Sequence, residues 1–145
     1  MDSLDGGTFA KCTAGREVAR EGFMYSNSRK RLDAKVLYQR ALIYFSLQAK
    51  GKCQKRFLRI WWSDGGGNAY MSNIDYRYSK CDGAGFGYSG DPCNSVPGQG
   101  CLVGYQSGSI TNYRPYQGSR GLPSYYYSVN FAGTHGSGNL QIQSF

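Results

Sequence analysis

The cysteines and the one histidine are the residues of this chain that could form a centre for nucleophilic catalysis. Cys93 or Cys101 could act as a thiolate nucleophile with His135 as its base, which is the chemistry of a Cys/His hydrolase. His135 lies in the turn-forming stretch 133–138, where a lone histidine is more often an ordinary surface residue than a base. The hydrolase is therefore the third of three functional hypotheses, and we predict that the protein is not an enzyme.

The five cysteines contain no C-x-x-C pair, and the single histidine cannot complete a Cys/His zinc set at a recognised spacing. We predict no metal and no cofactor. Cys81, Cys93 and Cys101 lie in a Gly- and Pro-rich stretch, where two of them suit a disulfide if the compartment is oxidising. In a reducing compartment these cysteines stay free, and a free thiol could carry a covalent group. Cys12 and Cys53 are then small core or surface residues.

The net charge of +8 lies entirely in the first part of the chain. Residues 1–60 hold 13 Lys and Arg against 5 Asp and Glu, whereas residues 61–145 hold 4 against 4. Between Arg29 and Arg59 there are ten cations and a single acid, Asp33. Such a segment attracts nucleic acid, an acidic protein surface or anionic lipid, although a solvated, solubilising face is the simpler interpretation.

Tyrosines are concentrated in the other part of the chain, since ten of the 13 follow residue 69. Tyr with Gly, Ser and Asn is typical of adaptable contact surfaces, because the ring supplies a large area and a hydroxyl at low cost in side-chain entropy. If the run 125–127 forms a strand, at least one of its rings lies on the face opposite its neighbours. We therefore expect some tyrosines in the core and others on a contact surface.

These patterns predict, as the leading hypothesis, a structural or assembly protein. It would be a basic linker-like or scaffold subunit, or part of an oligomer, that docks on an acidic protein surface or a larger assembly. Its expected partner-binding residues are cations of the basic segment and tyrosines of the later part: Arg29, Lys30, Arg31, Lys35, Arg40, Lys52, Lys55, Arg56, Arg59, Tyr113, Tyr116, Tyr125, Tyr126 and Tyr127.

The alternative hypothesis is a nucleic-acid-binding module, in which the basic segment contacts phosphates and aromatic side chains stack on bases. In that hypothesis Trp61, Trp62 or Tyr76 provides the stacking surface. The phosphate-binding residues are then the cations at the two ends of the basic segment: Arg29, Lys30, Arg31, Lys52, Lys55, Arg56 and Arg59.

The local patterns predict an α+β fold in a single domain of residues 1–145. Residues 1–60 form its basic, partly helical part, and residues 61–145 form its Gly- and Tyr-rich part of strands and long loops. Helix formers predict a short helix over 14–21 and a second over 32–50 that ends at Gly51. Leu37, Ala41, Ile43, Phe45 and Leu47 also alternate as in a strand turning at Gly51, so a mostly β chain is the alternative.

Strand signals dominate after Gly51. Residues 57–62 and 69–79 predict a hairpin across the Gly-rich turn 64–68, with one face of its second strand formed by Tyr70, Ser72, Ile74, Tyr76 and Tyr78. An irregular loop is expected over 81–104, and short strands over 102–105, 125–131 and 140–145. The sequence as given has no apolar run long enough for a transmembrane segment and no signal-peptide pattern at its start.

Overall fold

A computed structural model describes residues 15–41, 43–90 and 106–144. These residues form ten β-strands, and none of them is helical. The strands are β1 Val18–Asn27, β2 Lys30–Ala41, β3 Tyr44–Phe57, β4 Ile60–Ser63, β5 Asn68–Ser79, β6 Gly85–Gly90, β7 Gln106–Ser107, β8 Ser109–Gly118, β9 Ser124–Gly133 and β10 Gly138–Gln143. In the described part of the chain no helix is long and apolar enough to cross a membrane.

The strands form two antiparallel sheets. In the first, β1, β2 and β3 lie side by side, and the far edge of the long strand β3 is shared by β8 along its first part and β4 along its last part. In the second the order is β10, β9, β5, β6, with the short strand β7 beside the start of β5. The basic segment 29–59 is therefore the β2–β3 hairpin together with the turns at its two ends.

One buried cluster contains side chains of both sheets, so each sheet has an inner face and an outer face. Alternate residues of β2 point inward, beginning with Leu32 and ending with Tyr38, whose hydroxyl accepts a hydrogen bond from the Leu122 amide at 2.7 Å. The Tyr38 ring also lies 4.4 Å from that of Tyr125 in the second sheet. The Tyr38 hydroxyl thus has a hydrogen-bond partner inside the core, which offsets the cost of burying this polar group.

The turn between β9 and β10 closes one side of the two-sheet arrangement. The Ser26 amide of β1 donates to the His135 carbonyl at 3.1 Å. The next residue, Gly136, has a φ of 154°, and a Cβ there would lie 2.0 Å from the Met24 carbonyl oxygen. Because only glycine permits so close an approach of two backbones, this turn is fixed against β1.

The predicted α+β fold is wrong, and the mostly β alternative is confirmed. Residues 18–27, 30–41 and 44–57 are strands, although many of them are good helix formers. The inward positions of β2 recur every second residue, from Leu32 to Tyr38, and those of β3 continue from Leu47 to Cys53. Because every second residue is buried, packing against the core favours strands here more strongly than the helix propensity of these residues favours helices. The turn lies near Ile43, and Gly51 lies within β3.

The predicted hairpin of 57–62 with 69–79 is also wrong, because β4 pairs with β3 and β5 belongs to the other sheet. The turn between β3 and β4 is Leu58-Arg59, which lacks the Gly, Asn or Asp that marks such a turn in a sequence. Within β5 a bulge at Asn73, whose φ is 47°, shifts the alternation, so that Met71 and Ile74 both point inward. The predicted strand over 102–105 lies outside the described residues.

Candidate functional site

The cations at the two ends of the basic segment meet at one end of the first sheet. The turn between β1 and β2 lies beside the end of β3, where the Arg56 amide donates to the Arg29 carbonyl at 2.8 Å. Residues 25–31 and 54–63 together contain six cations and no acid: Arg29, Lys30, Arg31, Lys55, Arg56 and Arg59. We call these six residues the cationic end.

Two pairs of lysines face each other directly across β2 and β3: Lys30 opposite Lys55, and Lys35 opposite Lys50. Like charges at directly opposed positions destabilise a sheet. Within the described residues, none of these four lysines has a carboxylate within 4 Å that forms a salt bridge. Glu21 of β1 lies directly opposite Lys35 and offsets part of the repulsion in the second pair. A bound anion would reduce the repulsion in either pair.

Aromatic rings lie next to the cationic end on the outer face of the first sheet. The Arg31 guanidinium lies between two rings, 3.9 Å from the centre of Phe23 and 4.2 Å from that of Trp61. Its Nε donates to Gln54 Oε1 at 2.6 Å, and the Tyr25 ring meets Trp61 edge-on at 5.9 Å. These contacts fix the positions of the rings, while Phe23 and Tyr25 stay largely exposed to solvent.

The same outer face continues from these rings toward the middle of the sheet. Strand alternation places Lys50, Lys52 and Arg56 of β3 on this side, with Lys35 of β2 beside Lys50. The outer face of the first sheet therefore carries three aromatic side chains, Phe23, Tyr25 and Trp61. It also carries five cations: Arg31, Lys35, Lys50, Lys52 and Arg56. The aromatic residues and the cations thus come from four adjacent strands.

A carboxyl pair, Glu21 of β1 and Asp33 of β2, interrupts the positive charge of this face. It lines an open cavity of about 370 Å³ together with three lysines of the outer face. Burial of the Asp33 carboxyl, its hydrogen bond to Glu21 and the Glu21 charge raise the pKa of Asp33 to about 6, against the opposing charges of Arg31 and Lys52. The face therefore gains positive charge as Asp33 takes up a proton.

The surroundings of His135, the proposed base of the Cys/His hydrolase, differ from the ordinary surface turn that the sequence suggested. His135 is buried, with Thr134 Oγ1 2.8 Å from Nδ1 and Asp64 Oδ2 2.7 Å from Nε2. A Cβ on Gly67 would lie 2.6 Å from the His135 ring and 2.9 Å from the Cys53 Cβ, so this glycine lets the loop pass between them. Both ring nitrogens are engaged, and the ring joins two loops of the sandwich.

The cysteines in the described part of the chain are not activated nucleophiles. Burial, aided by the Asp64 charge, raises the pKa of the Cys53 thiol, which is free and fully buried. Cys81 is disulfide-bonded to a cysteine outside the described residues. Cys93 and Cys101 lie outside them too, and no group of three His, Cys, Asp or Glu side chains in the described ranges could hold a metal ion. The hydrolase hypothesis stays a prediction without geometric support.

The tyrosines expected on a contact surface lie mainly in the core. Tyr116, Tyr125 and Tyr127 are buried, whereas Tyr126 is half-buried on the outer face of the second sheet. The side chain of Tyr113 is outside the described residues. Burial raises the pKa of Tyr125 to about 12, which reflects packing in the core. These residues therefore provide little of the surface on which the assembly hypothesis depends.

The remaining predicted residues divide between two places. Arg40 is at the opposite end of β2 from the cationic end, with its guanidinium 5.6 Å from the Phe45 ring centre. Tyr76, proposed for stacking on bases, is buried in the core. The sequence reasoning missed Phe23 and Tyr25, because the residues just before them were interpreted as a helix. The signal that identifies them is the alternation of Glu21, Phe23 and Tyr25 along β1.

The cationic end and the aromatic residues are thus the best-defined surface feature that could bind a ligand. The chain matches no protein-family model, no curated protein and no solved structure.

Proposed function

We propose that this protein binds single-stranded nucleic acid on the outer face of its first sheet. The observation that carries the proposal is the meeting of exposed aromatic rings with a group of cations on one sheet face. Proteins that bind single strands combine these two elements, a positive track for the backbone and rings on which bases stack.

The cations supply the track. Lys50 and Lys52 are two residues apart on β3, and Arg56 follows four residues later on the same side. Two residues of a strand span about 6.6 Å. Successive cations along the strand therefore lie at intervals that an extended phosphate backbone can follow. The opposed lysine pairs favour an anionic ligand further, because binding it removes their mutual repulsion.

The rings supply the stacking positions. Phe23 and Tyr25 are exposed, and Trp61 is held between Tyr25 and the Arg31 guanidinium. Bases in a duplex are already stacked on one another, so exposed rings on a sheet favour unpaired bases. The proposal is therefore for a single strand rather than a duplex, with little dependence on base sequence.

The leading alternative is the assembly protein that docks on an acidic partner. The cationic end would attract such a partner equally well, since charge does not distinguish acidic proteins from nucleic acids. The aromatic residues of the outer face favour nucleic acid, while the burial of Tyr116, Tyr125 and Tyr127 weakens the tyrosine contacts of the assembly hypothesis.

The adjacent tryptophans provide a matched test, because Trp61 lies on the outer face and Trp62 on the other side of β4. Fluorescence anisotropy would measure the binding of labelled oligothymidylate, oligouridylate and a duplex of equal length at low salt. We expect Trp61→Ala to weaken single-strand binding about 5- to 150-fold, the range for one stacked base. Trp62→Ala should leave it unchanged.

The salt dependence adds a second readout. Replacing Arg56 by Gln should reduce the slope of log K against log salt by about 0.7, the value for one phosphate contact with a single strand. Absence of oligonucleotide binding at low salt, or equal losses for the two tryptophan variants, would count against the proposal. Binding of an acidic polypeptide in place of the oligonucleotide would favour the assembly hypothesis.

A further inference from the structure

We propose that the tip of the β3–β4 hairpin inserts into the interfacial region of an anionic lipid bilayer. This inference goes beyond nucleic-acid binding and uses the opposite side of the hairpin. Cross-strand pairing places Phe57 opposite Ile60 and Lys55 opposite Trp62, on the side away from Trp61. We call Phe57, Leu58, Ile60 and Trp62 the apolar tip.

The apolar tip is exposed because the hairpin continues past the end of the core. Cys53 is the last inward residue of β3 that is buried, and the next inward positions, Lys55 and Phe57, are exposed. All four side chains of the apolar tip are large and mostly exposed, and Leu58 at the apex is 76% exposed. Large apolar side chains grouped on a projection mark an interaction site more often than scattered surface residues do.

The apex also has a strained backbone. Leu58 and Arg59 have φ values of 52° and 65°, a region that glycine and asparagine occupy easily and leucine does not. Leu58 is therefore unfavourable at this position for two reasons: its backbone is strained, and its large apolar side chain is exposed to water. Strain of this kind is concentrated at functional sites.

The order of chemistry along the hairpin fits a bilayer surface. The apex presents Leu58 with the Phe57–Ile60 pair, and the Lys55–Trp62 pair follows two residues back, about 6.6 Å along the strands. Amphipathic segments enter the boundary between headgroups and acyl chains by about 5–10 Å. With the apex in that boundary, the Trp62 ring lies at headgroup level, where tryptophan is enriched.

Charge selects anionic lipid. Of the six cations of the cationic end, Arg59 lies in the turn at the apex and the other five lie along or beside the hairpin, and residues 25–31 and 54–63 contain no acid. An anionic headgroup layer would therefore be attracted as the apolar tip enters. A nucleic acid offers no apolar interior for Leu58 and Ile60, whose aliphatic side chains have no ring to stack.

Flotation with vesicles of phosphatidylcholine alone, or of phosphatidylcholine mixed with phosphatidylglycerol, would test this inference. We expect binding to the mixed vesicles only. In a Trp61→Phe background Trp62 is the one remaining tryptophan, and its emission should shift to shorter wavelength with the mixed vesicles.

Leu58→Asn suits the turn and removes the apex side chain, so we expect it to weaken vesicle binding about tenfold without unfolding the protein. Trp61→Ala, on the other side of the hairpin, should bind vesicles as the wild type does. Oligonucleotide binding should show the reverse pattern, lost in Trp61→Ala and kept in Leu58→Asn, so failure of either proposal can be told from failure of the other.

Two results would overturn the inference. One is absence of binding to the mixed vesicles. The other is undiminished binding by Leu58→Asn, which would mean that charge alone attracts the protein to the surface. With the first of these results, capture of an acidic protein by the wild type would assign the apolar tip to a protein partner instead.

Discussion

Replacing Leu58-Arg59 by Asn-Gly should stabilise the protein although it adds no contact. Both residues have positive φ, 52° and 65°, which is the type I′ turn of a two-residue hairpin. The left-handed conformation costs an ordinary L-residue about 1–2 kcal/mol, whereas Asn tolerates it and Gly has no Cβ to clash. The Leu58 side chain is mostly exposed, so few favourable contacts are lost.

The expected gain follows from these costs. Relief at two positions gives about 2–4 kcal/mol, from which the greater flexibility of glycine in the unfolded chain subtracts about 0.5–1 kcal/mol. Asn keeps part of the strain, so a net gain of about 1–2 kcal/mol is expected. For a chain of 145 residues each kcal/mol raises Tm by about 3 °C. Urea denaturation should show a higher midpoint with an unchanged m-value.

The matched control is the double variant L58A/R59A. It removes the same two side chains but keeps a Cβ at both positive-φ positions, so it should show no comparable gain. If the alanine and Asn-Gly variants have the same Tm, backbone strain in this turn is not the cause. If Asn-Gly lowers Tm, the exposed side chains stabilise the folded hairpin, and the reasoning on the apolar tip would need revision.

Three further predictions concern titratable groups. Since the pKa of Asp33 is raised to about 6 by burial and by Glu21, its favourable contribution to stability is present below 3.8 and lost as pH rises through about 6. Asp33→Asn should therefore have a higher Tm than wild type at neutral pH and the same Tm in acid, and an equal difference at both would refute this. The hydrogen bond from His135 lowers the pKa of Asp64, so its contribution is present above 3.8 and lost as pH falls below that value. Asp64→Ala should cost about 1–3 kcal/mol at neutral pH by leaving Nε2 of the buried His135 ring without its partner, and the difference in Tm should shrink in acid. Burial raises the pKa of Cys53, so mass spectrometry should find it unlabelled by a thiol reagent in the native protein and labelled after unfolding, and rapid native labelling would contradict its burial.

The sequence predicted several individual strands but not their pairing. Residues 69–79, predicted from their alternation, and 125–131, predicted as a short strand, both lie in strands. The β4 pairing was missed because Leu58-Arg59 gives no turn signal. The faces of the residues before Asn73 were assigned wrongly because a bulge shifts the alternation by one. Turn strain and bulges are set by tertiary packing, which a local pattern does not contain.

The candidate site was predicted in its components but not in its arrangement. The cations at both ends of the basic segment were identified from charge, yet their meeting depends on the β2–β3 register that places Lys30 opposite Lys55. If residues 32–50 formed a helix, the cations at the two ends of the basic segment would not meet at one end of a sheet. The sequence likewise could not separate Trp61 from Trp62, because which face each occupies depends on the pairing of β4 with β3.

Three locally unfavourable features occur at the same end of the first sheet. Lys30 and Lys55 face each other as like charges, Leu58 and Arg59 form a strained turn, and the apolar tip is exposed to water. Within the core, by contrast, the buried Tyr38 hydroxyl accepts a hydrogen bond from the Leu122 amide. Selection for stability alone would remove such features by a few substitutions. We therefore propose that this end of the sheet is the functional one, and that the two faces of the β3–β4 hairpin serve different ligands: Arg56 and Trp61 nucleic acid, Phe57 and Ile60 lipid.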